Sequence, residues 1–455
     1  MSAPTPVTPL PSTDLSRPTA PGFWQAFAYW LKLGFISFGG PAGQIAMMHQ
    51  ELVEKRRWIS DSRFLHALNY CMLLPGPEAQ QLAIYLGWLL HRTAGGIVAG
   101  VLFVLPSFFI LAALSAIYLL WGDVPAIQAT FSGIKPVVVA IVAFTAWRIG
   151  SRALNNRLLQ AIALVALIAM LFFDIAFPWI VLTAAITGMI AGRLRPAMFR
   201  ASGHASATGN HLPALIDDDT PRAPHTYFGV SYLVKLLFAA ALLAGSVWWM
   251  LASPVLRDMG DFFTRAALLT FGGAYAVLPY VYQGAVEQFQ WLNAGQMIDG
   301  LALGETTPGP LIMIVAFVGF VGAWSHAVFG PESLLLAGLA GAATATFFTF
   351  LPSFVFILAG APLVESTHGD LRFTAPLSAI SAAVVGVIVN LALFFADHVF
   401  WPQATSSAPF AGPVDLFAIG LAAAAFVALK HYQQSIIRVI AAGAALGLLR
   451  LLLTG

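Results

Sequence analysis

Cysteine and charge are what this chain of 455 residues has least of. Its single cysteine, Cys71, excludes an intramolecular disulfide and any cysteine-based metal cluster. Charged residues make up 9% of the chain, against about 25% in ordinary soluble proteins. A core of this size in water needs a charged shell that these residues are too few to build. Hydrophobic residues supply 59% of the sequence and mean hydropathy is +0.82, so lipid must be the solvent for much of the surface. A net charge of +2 leaves no electrostatic footprint for nucleic acid. Residues 1–21 are rich in Pro, Ser and Thr without an apolar run, which predicts a disordered tail and not a signal peptide. The histidines fall into no metal-ligand spacing, and there is no Walker A loop or dinucleotide fingerprint. No metal and no cofactor are expected.

What is present is a duplication. Phe38-Gly39-Gly40 recurs as Phe271-Gly272-Gly273, Trp58 as Trp291, and Pro75-Gly76-Pro77 as Pro308-Gly309-Pro310, all at one offset of 233 residues. Leu105-Pro106-Ser107-Phe108 reappears as Leu351-Pro352-Ser353-Phe354 at an offset of 246. An apolar chain whose two copies keep Gly/Pro breaks at matching places is the pattern of a secondary transporter. The predicted layout is a first repeat over 22–193, a polar linker over 194–227, a connecting membrane helix over 228–253 and a second repeat over 254–455. The linker is expected to be solvated and without chemistry.

Nine near-continuous apolar segments fall at roughly 97–121, 127–150, 157–173, 177–192, 228–252, 333–359, 373–396, 411–429 and 434–453, most of them close to the ~20 residues that span hydrocarbon. Around the Gly/Pro breaks the arms are only about 11–16 residues, or about 16–24 Å of helix. Such arms suit hairpins that enter, turn at a Gly/Pro tip and leave on the same side, a backbone break that is tolerated where protein buries it. The basic residues favour this reading. With both hairpins of each copy re-entrant and a cytoplasmic N-terminus, Lys55, Arg56, Arg57, Arg63, Arg92, Arg148, Arg152, Arg157, Lys430 and Arg438 all lie inside, with Arg257 and Arg450 as outside exceptions. Five crossings then separate the two hairpin pairs, and an odd number inverts one copy relative to the other. The fold class expected is an all-α polytopic membrane protein with two inverted-topology repeats.

Phe-Gly-Gly-Pro-Ala-Gly-Gln-Ile-Ala-Met at 38–47, Leu-Pro-Gly-Pro-Glu-Ala-Gln-Gln-Leu-Ala at 74–83, Phe-Val-Leu-Pro-Ser at 103–107 and Gly-Glu-Thr-Thr-Pro-Gly-Pro-Leu at 304–311 resemble the chromate ion transporter family in its long, two-domain form. The resemblance covers roughly 23–453. It implies a protein of the bacterial cytoplasmic membrane that exports chromate, a tetrahedral dianion like sulfate, in proton-coupled exchange or antiport, and so confers chromate resistance.

A dianion must trade its hydration for protein donors. Helix N-termini offer N–H groups and a partial positive charge of roughly half a unit. The expected cradle is therefore the four tips: Gly39 and Gly40; Pro75, Gly76 and Pro77; Gly272 and Gly273; Pro308, Gly309 and Pro310. Glycine allows close approach and proline leaves neighbouring amides free. Lys32 and Arg265 occupy one repeat position and Lys135 sits in an apolar segment, so these three are the candidate cations, with snorkelling to the interface as their plainer role. Gln44, Asn69, Gln80, Gln81, Thr306, Thr307 and Asn390 are candidate polar ligands, although each alone also suits a helix-to-helix hydrogen bond. Glu78 and Glu305 flank the Pro-Gly-Pro tips. A carboxylate there repels a dianion unless it carries a proton, so both are candidates for proton coupling.

The expected partners are the lipid bilayer and chromate, with sulfate as the alternative substrate; a homodimer stays open. A passive anion channel on the same fold and a membrane-embedded reductase are the other readings, the second opposed by the lack of a redox motif.

Overall fold

The computed structural model describes residues 18–38, 40–173, 175–194, 213–217, 219–221, 223–251, 253–271, 274–366, 374–403 and 410–454. Short apolar helices broken by glycine and proline open each repeat. In the first, α1 (Phe23–Ile36) leads through Ser37 and Phe38 to α2 (Gly40–His49), a π-helical turn (Gln50–Lys55) and α3 (Asp61–Leu73). Pro75-Gly76-Pro77 then turns the chain into α4 (Glu78–Trp121), which His91 and Arg92 interrupt with non-helical backbone. Four helices follow: α5 (Pro125–Ala153), α6 (Arg157–Phe173), α7 (Phe177–Leu194) and α8 (Val230–Met250). The second repeat runs α9 (Pro254–Leu268), α10 (Ala274–Tyr282), a π-helical turn (Gln283–Gln288), α11 (Ala294–Thr306), α12 (Ile314–Ser325), α13 (Leu334–Ser366), α14 (Thr374–Phe400), α15 (Leu416–Lys430) and α16 (Ile436–Thr454).

The duplication is kept in backbone conformation over residues 50–60 and 283–293. The π-turns begin at Gln50 and Gln283, 233 positions apart. Arg57 and Gln290, at the same offset, both take left-handed φ values of 50° and 53°. Trp58 N–H donates to the Leu52 C=O, and Trp291 N–H to the Ala285 C=O, both at 2.8 Å. Ser60 caps α3 by accepting from the Arg63 N–H, and Asn293 caps α11 by accepting from Gln296. The second cap is a full capping box, which satisfies two otherwise orphaned amides.

All nine apolar segments are helical, and the described residues contain seven helices long and apolar enough to cross a membrane. α6 (17 residues) and α15 (15 residues) are shorter. α8 has no buried residue over its 21 positions, which suits an apolar helix solvated by lipid. The protein is a multi-pass, all-helical membrane protein.

The two repeats exchange their long helices. α5 packs against α15 and α16 of the second repeat, while α14 packs against α6 and α7 of the first. α5 and α14 also touch each other. Small residues permit this approach, as TM helix interfaces require: a methyl on Gly443 of α16 would meet the Gly133 backbone of α5 at 2.8 Å. A methyl on Gly188 of α7 would meet the Ala375 backbone of α14 at 2.6 Å.

The linker departs from expectation in its described part. Leu215 and Ile216 N–H groups donate to the carbonyls of Arg57 and Trp58, at 2.9 and 3.1 Å, and Ser60 N–H donates back to Ile216 at 3.0 Å. This makes a short parallel bridge between Ile59 and Ile216. Ala214 and Thr226 are buried, and His225 Nε2 donates to the Trp88 carbonyl at 3.2 Å. The physical reason is the left-handed Arg57, which leaves a strip of extended backbone unpaired, and the apolar Leu215-Ile216 pair that can cover it. Residues 195–212 of the linker and 1–17 of the tail lie outside the described residues.

Candidate functional site

The Gly/Pro tips of the two repeats meet in crossed pairs. Gly309 N–H donates to the Ser37 carbonyl at 2.9 Å, and Gly76 N–H donates to the Thr270 carbonyl at 2.7 Å. Gly309 is Gly76 displaced by 233 residues, and Thr270 is Ser37 displaced by the same number. Exchange of this kind is what a two-fold relation between repeats produces. Both glycines need their freedom here. Their φ values are +126° at Gly76 and +105° at Gly309, and a Cβ would meet the Ser353 hydroxyl at 2.5 Å or the Ser107 Cβ at 2.8 Å. Ser107 and Ser353 are themselves repeat equivalents.

These bonds use up two of the amides expected to face an anion. The Gly76 and Gly309 N–H groups join the repeats, and prolines 75, 77, 308 and 310 have no N–H to offer. The start of α2 faces a cavity. Phe38 and Gly40, the latter at φ +70°, line this cavity of about 570 Å³ together with Thr307, Gly309 and Leu311 from the second repeat's tip. Gly39, Gly272 and Gly273 lie outside the described residues.

The cations of this cavity are not those the sequence singled out. Arg148 near the end of α5 and Lys430 at the end of α15 line it. Lys430 Nζ stands 4.5 Å from the Trp147 ring centroid and the Arg148 guanidinium 5.7 Å from that of Phe144, so each charge rests on an aromatic face at the cavity wall. Glu305 lines the cavity too. Tyr275 OH donates to Glu305 Oε1, and the Arg148 charge lies within electrostatic reach of this carboxyl. The wall therefore holds two fixed cations and one carboxyl held by a phenol. The repeat equivalents of Arg148, Tyr275 and Glu305 are Phe394, Ala42 and Met72, so this charged arrangement occurs once although its scaffold occurs twice.

Gln44 is fully buried, and its Nε2 donates to the Ser37 carbonyl at 3.1 Å and the Gly309 carbonyl at 2.6 Å. It clamps the crossing behind the cavity. Gln81 Nε2 does the same at the other crossing, donating to the Pro75 carbonyl at 2.7 Å with Ser353 Oγ at 3.5 Å. Gln80 is fully buried and neither of its amide atoms has a hydrogen-bond partner among the described residues. Thr306 and Thr307 turn their hydroxyls back on Leu303 and Gly304, and Asn390 is half-buried on α14.

Other expected ligands stand elsewhere. Lys32, Asn69 and Arg265 are exposed on α1, α3 and α9 and are not among the cavity-lining residues. Long basic side chains at such places reach the interface at little cost. Lys135 forms an ion pair with Asp299 of α11, Nζ to Oδ2 at 3.3 Å, so its charge is already neutralised. Glu78 is half-buried at the start of α4 and does not line the cavity.

Sequence comparison places this geometry. The family described as chromate transporter matches residues 24–189 and again 257–448, one match per repeat. A chromate transport protein of Pseudomonas aeruginosa is 34% identical over 445 residues, covering 96% of this chain and 95% of its own length. A chromate transport protein of Cupriavidus metallidurans is 31% identical over 384 residues, 84% of each chain. A probable chromate transport protein of Synechococcus elongatus is 29% identical over 367 residues, 80% of this chain and 82% of its own. No solved structure matches. Matched by the family through both repeats, and 34% identical to one relative over 96% of its length, the chain belongs to the chromate transporter family.

Proposed function

We propose that this protein exports chromate across the bacterial cytoplasmic membrane by alternating access, in a cycle coupled to proton binding and release. The observation that carries the reading is the charged cavity lined by Phe38 and Gly40 from one repeat and Thr307, Gly309 and Leu311 from the other, and walled by Arg148 and Lys430. Two cations and the amides at the start of α2 suit a dianion, and the planar Arg148 fork matches two oxygens of a tetrahedral oxyanion. Gly40, Thr307 and Gly309 shape the floor of this site. Gln44, Gln81 and the Pro-Gly-Pro residues hold the tips around it, and the buried amide of Gln80, unpartnered among the described residues, is available to the anion's path.

Glu305 supplies the coupling. An ionised Glu305 and a chromate oxygen compete for Arg148, so loading the anion favours protonation of Glu305 and proton release favours unloading. Glu78, which lies outside the cavity, is the weaker candidate. The hairpin arms support re-entry from opposite faces. α1, α2, α3 and α11 have 14, 10, 13 and 13 residues, short of the ~20 that cross hydrocarbon. With Lys55, Arg56, Arg57, Arg148, Arg152 and Lys430 on one side, the cavity opens to the cytoplasm and the N-terminus is cytoplasmic.

The test is uptake of radiolabelled chromate into everted vesicles with an imposed pH gradient. Arg148→Ala is expected to lower uptake at least tenfold. Glu305→Gln is expected to leave chromate movement down its own gradient and abolish the response to pH. Normal gradient-driven accumulation by both variants sinks the reading. Sulfate shares chromate's shape and charge, and competition in the same vesicles decides between them.

A further inference from the structure

A second ionisable cluster lies beyond the cavity, away from its mouth. Asp299 of α11 is 3% exposed. Its Oδ2 accepts from Tyr118 OH of α4 at 2.9 Å and pairs with Lys135 Nζ of α5 at 3.3 Å. Its other oxygen, Oδ1, has no hydrogen-bond partner among the described residues. The cluster thus joins two helices of the first repeat to one hairpin arm of the second.

Its level in the molecule follows from the two helices that also reach the cavity. On α5, Lys135 precedes Arg148 by 13 residues, about 20 Å along a helix. On α11, Asp299 precedes Glu305 by 6 residues, about 9 Å. Arg148 and Glu305 both line the cavity. The two helices therefore run the same way, from the cluster toward the cavity, and the mouth formed by Lys430 and residues 433–437 lies at the far end from Asp299.

Structural adhesion explains the cluster poorly. A buried carboxylate tied to a half-buried lysine contributes little net stability compared with packed apolar side chains, and charge within an apolar segment is costly. Asp299 is moreover only partly satisfied. A contact between repeats that shuts one end of a cavity has to break if the repeats rock against each other. A second cluster has the same composition. Arg63 of α3 pairs with Glu365 of α13 at 2.5 Å, and Tyr85 OH donates to the same carboxylate at 2.6 Å. Glu365 lies one position from the repeat equivalent of Tyr118, so each repeat's long helix is tied at its C-terminal end to the other repeat's second hairpin.

We infer that Asp299, Lys135 and Tyr118 form the gate closing the cavity on the side opposite its mouth, and that transport requires this ion pair to open. The inference rests on the alternating-access reading, and one experiment separates the two. Thr307→Cys in a Cys71→Ala background places a thiol in the cavity of the full-length protein. A membrane-impermeant maleimide is then applied to right-side-out and to everted vesicles without chromate. The parent is expected to react through the mouth only. Asp299→Asn and Lys135→Met are expected to raise labelling from the opposite side on the order of tenfold, Tyr118→Phe by less. The exchanged pair Lys135→Asp with Asp299→Lys is expected to restore one-sided labelling. Unchanged one-sided labelling in Asp299→Asn, Lys135→Met and Tyr118→Phe overturns the gate. A parent equally reactive from both sides overturns alternating access itself, whatever the transported anion.

Discussion

At Gly309 the backbone takes a φ of +105°, and a methyl group would press on Ser107. Gly309→Ala is therefore expected to cost roughly 2 kcal/mol or more and to separate Thr307 from the start of α2. Detergent-solubilised protein should melt several degrees lower, with transport reduced further than stability alone explains. Gly420→Ala on α15 is the control. Nothing lies within 4 Å of its added methyl, so it should be neutral or stabilising by about 0.5–1 kcal/mol. Outside the membrane segments, the Arg56 side chain donates to Glu51 at 2.8 Å, and this hydrogen bond holds the Glu51 carboxyl below its ordinary value of 4.5. A depressed pKa means the stabilisation is present above pH 4.5 and fades as pH falls through the lower folded value. Glu51→Gln should lower stability at pH 7 by about 0.5 kcal/mol for a partly exposed pair, read as a slightly lower melting temperature, and have less effect near pH 3. Equal effects at both pH values contradict this. The glycines and prolines of the tips were legible in the sequence because their demand is local and the duplication marks it. Arg148 and Lys430 were not. Both sit at helix ends, where a basic residue reads as a sidedness marker, and only the packing of α5 against α15 brings them to one wall. Lys135 misled in the opposite sense, since nothing near it in sequence announces Asp299, 164 positions away.

Helices were easier to read than the segments between them. Every apolar run emerged as a helix because twenty apolar residues in lipid have almost no other way to satisfy their amides. The linker was harder. Its polar composition reads as solvated, yet Leu215 and Ile216 dock on the backbone of Arg57, Trp58 and Ser60. Ile216→Pro removes the N–H that reaches Trp58 and should release this contact, at a cost of about 1–3 kcal/mol. Faster amide exchange at Ser60, whose N–H reaches the Ile216 carbonyl, together with faster proteolytic nicking of the linker, would register it. Unchanged exchange at Ser60 would show that the docking contributes nothing.

Across the whole chain, duplication of the scaffold and uniqueness of the charges coexist. Tip crossings, π-turns and caps recur at a fixed offset, whereas Arg148, Tyr275 and Glu305 have Phe394, Ala42 and Met72 as counterparts. Because this charged arrangement occurs once while its scaffold occurs twice, each chain should bind one anion at it. Equilibrium binding of labelled chromate to purified protein is expected to saturate at one site per chain, and two equivalent sites would contradict the asymmetry. The exchanged helices bear on how such a molecule comes into being. Because α14 leans on α6 and α7 while α15 and α16 embrace α5, the first half leaves the ribosome with its own flank bare and waits in the bilayer for its sibling. Severed within 195–212, the two fragments should each be degraded when made alone. They should survive, and transport, when made together.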